Sequence, residues 1–438
     1  MIAADGSRVL VLDDDPTGSQ AASDVTVLLG HFPDLIREWL TGSDRGLYLV
    51  TNTRSLPVAQ AVAVLQRIRA TVEELCRETG ERVAYVLRGD STLRGHVFEE
   101  VAVFTPPGGV VLFCPAFPEG GRVTIGGVHY LRGPAGPQPV SDTEFARDPV
   151  FGFASRTLAG WVQEKGQSGA PTHVPLEALR DGGAQTVADA LLSAPAGAVV
   201  IPDAEDAMDI AAITVGLLMA QRAGRSVTVR SAATLAALRM GTQPKHLVNI
   251  PAGGGRVLVV CGSHTELSTR QLKRLTDSTG PAVVLGTDTA LEGSTSHALV
   301  ADELRSLLNS SGVAVLATER DRRPEHSQLH HGAAVMAALT AVVAMLGSDV
   351  DACIVKGGIS SADIAVHGFG IRRARVLGQL EPGVAVWRAE AGGRELPYVV
   401  VPGNVGNDDT IHRALTAIRP AGSGPVARSS SAAPHSRR

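Results

Sequence analysis

Several short stretches of this chain set charged or glycine-rich residues directly after an apolar run. In "VLVLDDDPTGS" (9–19), Asp13, Asp14 and Asp15 follow four apolar residues. Adjacent carboxylates repel one another and each is costly to bury, so the cluster is either a solvated turn or a site that cations or a ligand hold together. In "VLRGDSTLRG" (86–95), Arg88 and Arg94 bracket Asp90, Ser91 and Thr92. Two guanidinium forks beside hydroxyls and a carboxylate can hold a polyhydroxy acid, with Arg gripping the carboxylate and Asp90 accepting from hydroxyls. The plainer alternative is a capped helix start with a local Asp/Arg pair. "PEGGR" (118–122) adds Glu119 and Arg122 on a turn. Farther on, "KGGISS" (356–361) and "PGNVGNDD" (402–409) are loops whose glycines let backbone N–H groups approach phosphates.

The elements that must carry these stretches are short apolar strands. Runs at 9–12, 47–50, 83–87, 110–113, 198–201, 257–260, 282–285, 313–316, 352–355 and 398–401 read as strands, with helical patterns such as "VAQAVAVLQRIRATVEELCRE" between many of them. Apolar strands alternating with helices predict α/β architecture, with mainly parallel sheets covered on both faces. In such sheets ligands bind beyond the carboxyl ends of the strands, where these stretches fall. "VLVVCGSHTELSTRQ" (257–271) has the same strand-then-polar form and contributes Ser263.

At 438 residues the chain exceeds one ordinary core. Pro and a Gly triplet interrupt the pattern in "MGTQPKHLVNIPAGGGR" (240–256), predicting domains over 1–245 and 255–420. The tail over 421–438 has a disordered composition. A net charge of −4 gives no footprint for nucleic acid or an anionic membrane. Four cysteines without CxxC spacing predict reduced, mostly buried thiols and a cytoplasmic setting. "GAAVMAALTAVVAMLGS" (332–348) is short and Ala-rich for a membrane span and reads as a buried core helix. His326 and His330 are spaced for a metal on a helix, yet lack a third ligand and read as a solvated face. The chain has no GxxxxGK[ST] phosphate loop and no protein-kinase signature.

Asp13, Asp15 and Thr17 fit the DxDxT opening of haloacid-dehalogenase-like phosphatases, in which the first Asp is a nucleophile working with Mg²⁺. Taken together, however, the motifs resemble the four-carbon acid sugar kinases. "DDDPTGS", "RGDSTLRGH", "PAFPEGGRVTIGGVH", "GSHTELSTRQ", "KGGISS" and "PGNVGNDD" follow that family's order over residues 8 to 418. Arg88 stands where the family has Lys, Asp13 where it has a small residue, and Ile359 and Pro402 also depart.

The resemblance implies an N-terminal substrate domain and a C-terminal nucleotide domain, with the active site in the cleft between them. It also implies ATP-dependent phosphorylation of an alcohol group on a four- or five-carbon sugar acid such as threonate, erythronate or 3-oxo-tetronate, and a homodimer. Asp15, helped by Asp14, would then deprotonate the acceptor hydroxyl. Arg54, Asp90, Ser91, Arg94, Glu119 and Arg122 would hold the acid. Ser263, Gly357, Gly358, Ile359, Ser360, Gly403 and Asn404 would cradle ATP, with Mg²⁺ arriving alongside its phosphates and no protein ligand named for it. The phosphatase, and a sugar-acid binding protein without turnover, stand as alternatives.

Overall fold

The structure is a computed structural model describing residues 6–15, 18, 21–133, 136–167, 169–247, 250, 255–320, 329–403 and 405–419. Thr17, His326, Asn404 and the 421–438 tail lie outside the described residues, as do the side chain of His330 and most positions around the boundary expected near 250. The first part of the chain carries β1 (Arg8–Asp13), β2 (Val25–Leu28), β3 (Gly46–Val50), β4 (Val83–Arg88) and β5 (Val110–Cys114). A small separate sheet of β6 (Arg122–Ile125), β7 (Val128–Gly133) and β8 (Gly136–Pro139) follows, and then β9 (Thr172–Val174), β10 (Val199–Pro202) and β11 (Val227–Ser231). The second part carries β12 (Val257–Cys261), β13 (Val283–Leu285), β14 (Val313–Thr318), β15 (Ala352–Lys356), β16 (Arg373–Glu381), β17 (Val384–Ala391) and β18 (Arg394–Val401).

Each half has the expected parallel core, flanked by helices. β1 pairs in parallel with β3 and β4, and β12 with β14 and β15. Both faces of these strands are buried. Leu10 and Leu12 pack with Leu47 and Leu49 on one side, while Val9 and Val11 pack with Val27 on the other. That is why the strands read as unbroken apolar runs.

The two cores are joined edge to edge into one fifteen-stranded sheet, ordered β13-β14-β12-β15-β18-β17-β16-β2-β3-β1-β4-β11-β5-β10-β9. The joint is antiparallel: β16 pairs with β2, β17 with β16, and β18 with β17. The parallel strands of the two halves therefore run in opposite senses. In a flat sheet their carboxyl ends would lie at opposite edges. Six strand steps separate β1 from β15, and at the usual right-handed twist they accumulate a turn of roughly 130°. The twist swings the two sets of carboxyl-end loops toward a common space.

The chain connecting the halves is built into the same joint. Leu247 donates its backbone N–H to Gln379 (2.7 Å), and Gln379 donates to Lys245 (2.8 Å). Gly378, at φ +153°, marks a register shift in β16. A Cβ there would stand 2.3 Å from the Lys245 carbonyl oxygen. Arg372, Arg373 and Arg375 of the joint pair with Asp34 (2.7 Å), Glu38 (2.6 Å) and Asp44 (2.9 Å) of the first half. These pairs are largely solvated and each adds little, so the strand hydrogen bonds carry the joint.

The helix read at 332–348 spans Leu329–Leu346. Ala338, Leu339, Val342, Val343 and Leu346 are buried in the core, whereas Gly332, Ala333, Ala337 and Met345 are exposed. The expectation of a buried core helix therefore holds for one face only, because the Ala-rich side needs no cover. By length and composition His331–Asp349 could cross a membrane; in the fold it packs on the helices Thr287–Glu292 and Ser294–Ser310.

Because only glycine leaves room for the connecting chain, Gly378→Ala should lower stability by about 2 kcal/mol, seen as a lower urea midpoint.

Candidate active site

The loops after β1, β4, β5, β12, β14, β15 and β18 line one cavity of about 750 Å³, a size typical of small-ligand sites. Asp15, Arg54, Asp90, Ser91, Arg94 and Arg122 face it from the first half. Ser263, Gly357, Gly358, Ile359, Ser360 and Gly403 face it from the second.

At the carboxyl end of β1 the three aspartates are all buried, and each has a different partner. Asp13 stands opposite Arg88 in the β1–β4 register and accepts from its guanidinium at 2.9 Å. Burial pushes the Asp13 carboxyl up to about 7 despite that cation. Its other oxygen has no hydrogen-bond donor among the described residues and packs on Gly18, where a Cβ would stand 1.9 Å away. The glycine of "DDDPTG" is thus required by close approach to Asp13. Asp14 accepts from Arg230 of β11 at 3.1 Å, and Arg230 also donates to Glu100 at 2.5 Å. Asp14 is absent from the cavity wall. Asp15 lies in that wall and is paired with Arg54, while Arg88 stands 3.7 Å from it.

The "RGDSTLRG" loop wraps this cluster. A Cβ at Gly89 would collide with the Arg230 guanidinium at 2.2 Å, and one at Gly95 (φ +120°) would meet Asp14 at 3.1 Å. Asp90 accepts from Arg94 at 2.6 Å and from Thr92, with Arg54 at 3.8 Å. Burial alone would raise its pKa, but Arg94, Arg54 and these hydrogen bonds outweigh it and hold the carboxyl below the usual range. The Arg94 guanidinium lies 4.9 Å from the centre of the Phe145 ring, which also lines the cavity.

Arg122 differs from the other arginines. It is only 8% exposed, and no carboxylate lies within ion-pair distance of it among the described residues. Its Nε lacks an acceptor among the described residues, while Nη1 donates to the Gly120 carbonyl. Burial accordingly pulls its pKa down. A buried guanidinium facing a cavity without a counter-charge is able to receive an anion.

Other parts of "PAFPEGGRVTIGGVH" are scaffolding. Gly126 and Gly127, both at positive φ, donate their N–H groups to the Asp203 carboxylate (2.8 and 3.0 Å) and turn β6 into β7. His129 is buried between the Thr124 hydroxyl (2.9 Å) and the Ser91 carbonyl (2.8 Å), pinning the substrate-side loop. Burial lowers its pKa to about 4, so it is neutral at ordinary pH. Glu119 is exposed, absent from the cavity wall, and accepts from Thr234 at 2.6 Å.

On the other side, Gly262, Gly357 and Gly403 let three loops touch: Cβ atoms there would meet Ser360 Oγ at 2.3 Å, Ser360 Oγ at 3.2 Å and Ser263 Oγ at 2.9 Å. Ser268 donates to Ser263 (2.8 Å), and Thr265 donates to the Gly403 carbonyl (2.8 Å). Lys356, fully buried, donates to the carbonyls of Pro402 (2.6 Å) and Val405 (3.3 Å), tying these two points of the last loop to the end of β15. Burial brings its pKa down to about 8. Ile359, 47% exposed, joins Leu285, Met336 and Leu339 in an apolar patch of the wall. No group of three metal-ligating side chains exists among the described residues.

Arg230, Glu100, Lys356 and Phe145 are the residues that sequence reasoning missed. Arg230 and Lys356 did carry a signal, since each is a lone cation closing an otherwise apolar strand, "VTVRS" and "ACIVK".

A two-part α/β protein with acids and guanidinium groups on one wall of a cleft and glycine loops on the other belongs to the class of small-molecule kinases. Residues 9–239 match the family model described as a sugar-binding N-terminal domain, and residues 258–411 the one described as a nucleotide-binding C-terminal domain. Over 402 residues the chain is 30% identical to a D-threonate kinase of Bordetella bronchiseptica, covering 85% of this chain and 86% of the relative. It is 27% identical over 280 residues to a D-erythronate kinase of Heliobacterium modesticaldum, covering 61% and 60%. Among solved structures, a Haemophilus influenzae protein matches with a TM-score of 0.64, covering 93% of this chain and all of that one. A Salmonella typhimurium LT2 protein described as a putative tRNA synthase matches with 0.68, covering 93% and 98%. At 17% identity both show the fold alone. The chain belongs to the four-carbon acid sugar kinase family.

The phosphatase alternative is not favoured: Asp13, its would-be nucleophile, is fully buried, paired with Arg88 and absent from the cavity wall.

Arg230→Gln should cost about 3–5 kcal/mol in urea unfolding, because Asp14 and Glu100 would be left buried without their cation. For His129, whose pKa is depressed, the contribution to stability is present above pH 6.5 and is lost as the pH falls toward 4. The wild type should lose about 3 kcal/mol more across that window than His129→Gln, in paired denaturation curves.

Proposed function

We propose that the protein transfers the γ-phosphoryl group of ATP to a hydroxyl of a four- or five-carbon sugar acid, the class that includes threonate, erythronate and 3-oxo-tetronate. The observation that carries this reading is the buried Arg122 guanidinium, without a carboxylate partner among the described residues, in the same cavity as Asp15 and the glycine loops. The relatives named D-threonate and D-erythronate kinase support it.

Phosphoryl transfer asks a protein for positioning and charge neutralisation more than for covalent chemistry. Arg122 and Arg94 hold the substrate carboxylate, and Asp90, kept ionised by its cations, accepts from the hydroxyls. Ser91 adds a further polar contact. Asp15 takes the proton of the acceptor hydroxyl, and Arg54 orients it. Asp14, locked to Arg230, is a positioning residue rather than a second base. Backbone N–H groups of Gly357 to Ser360, the Ser263 hydroxyl and the Gly403 turn receive the phosphates, with Ile359 against the base. Mg²⁺ would supply neutralisation of the charge that develops on the phosphates during transfer. An ATP-using enzyme whose four cysteines are free thiols suits the cytoplasm. A homodimer is expected by light scattering.

A coupled ADP-release assay over four- and five-carbon sugar acids should show ADP only when an acceptor is present; phosphate release from a phosphorylated sugar acid without ATP would sink the reading. Asp15→Asn should lower kcat by about 10²–10⁴-fold. Arg122→Gln should act mainly on the sugar-acid KM, raising it by about 10–100-fold.

A further inference from the structure

The order of strands gives the cavity a direction. Counting away from the first half, the sheet runs β18, β15, β12, β14, β13. The Gly403 turn follows β18, the Gly357–Ser360 loop β15 and Ser263 β12, whereas Thr318 and Glu319 stand at the end of β14 and Leu285 at the end of β13. A phosphoryl group bound for an acceptor at Asp15 must sit at the near end. The phosphates therefore lie over the loops of β18, β15 and β12, and the nucleoside over β14 and β13. Glu319 stands two strand spacings beyond the Gly357 loop, roughly 10 Å along the sheet.

A carboxylate lining a nucleotide cleft is repelled by phosphates, but it suits a vicinal diol that offers two O–H donors. The Glu319 side chain is held in place, since its Oε2 accepts the backbone N–H of Thr287 at 2.9 Å. The apolar wall of Leu285, Met336 and Leu339 lies in the same cavity and suits the face of a base.

We propose that Glu319 binds the ribose hydroxyls of the nucleotide donor and makes the site selective for ribonucleotides over deoxyribonucleotides. This rests on the ATP reading above. It assigns a role to a residue that stands outside every sequence motif.

Calorimetric titration of the full-length protein with ATP, 2′-deoxy-ATP and 3′-deoxy-ATP tests it. The wild type should bind ATP at least about 10-fold more tightly than either deoxynucleotide. In Glu319→Gln the gap should shrink to about 3-fold or less, through weaker ATP binding. Glu319→Asp, a second variant that keeps the charge but shortens the reach, should fall between. Equal wild-type binding of ATP and both deoxynucleotides overturns the proposal while leaving the donor reading intact, as does a gap that survives both substitutions. Failure of all three nucleotides to bind the wild type, with the protein folded, overturns the donor reading itself.

Discussion

The arrangement of this protein depends on the antiparallel joint between β2 and β16. Two parallel sheets that each need both faces covered could have been separate bodies on a tether. Here they share backbone hydrogen bonds through three antiparallel strands, and the connecting chain is bonded into the same place at Gln379. Opposed strand directions would aim the two sets of carboxyl-end loops apart, and only the accumulated twist brings them round to one cavity. The site is therefore a property of the whole sheet.

Within that frame the acidic cluster is tolerable because each carboxylate has its own nearest cation and Arg88 lies within 4 Å of all three. Asp13 takes Arg88, Asp14 takes Arg230 and Asp15 takes Arg54. Burying ions is expensive even when they are paired, so the cluster is a poor source of stability. Its value lies in order: two of the three carboxylates are neutralised behind the wall, and one is left in it. Gly18, Gly89 and Gly95 keep the chain close enough for those pairings, since a side chain at any of them would occupy the space of a carboxylate or guanidinium.

The second half presents glycine-rich backbone rather than charged side chains to the cavity. Its loops are brought together by small residues and held by one buried cation, with Lys356 gripping two carbonyls of the last turn. Arg122, buried without a counter-charge, faces the same space from the first half. One wall thus offers guanidinium groups and the other glycine loops, and the proposed function assigns the substrate carboxylate to the first and the phosphates to the second.

Much of this was legible from residue order. Apolar strands alternating with helices implied parallel sheets, and the polar or glycine-rich stretch after each strand marked a loop at its carboxyl end, because burial on both faces leaves only strand ends for function. β2, β6 to β9, β11, β16 and β17 were not read as strands. The alternation in "RARVLGQLEPGVAVWRAEA" is that of a half-exposed antiparallel ribbon, and Arg230 interrupts an otherwise apolar run. Residue types alone therefore determined the fold class, the loops at the ends of the parallel strands and the family, but not the joint that fuses the two sheets. Which aspartate faces the cavity, that Glu119 turns away to Thr234, and that Arg122 has no carboxylate partner among the described residues were decided only by tertiary structure. A charged side chain's role depends on which partner reaches it across the sheet, and that distance is not written in its neighbours along the chain.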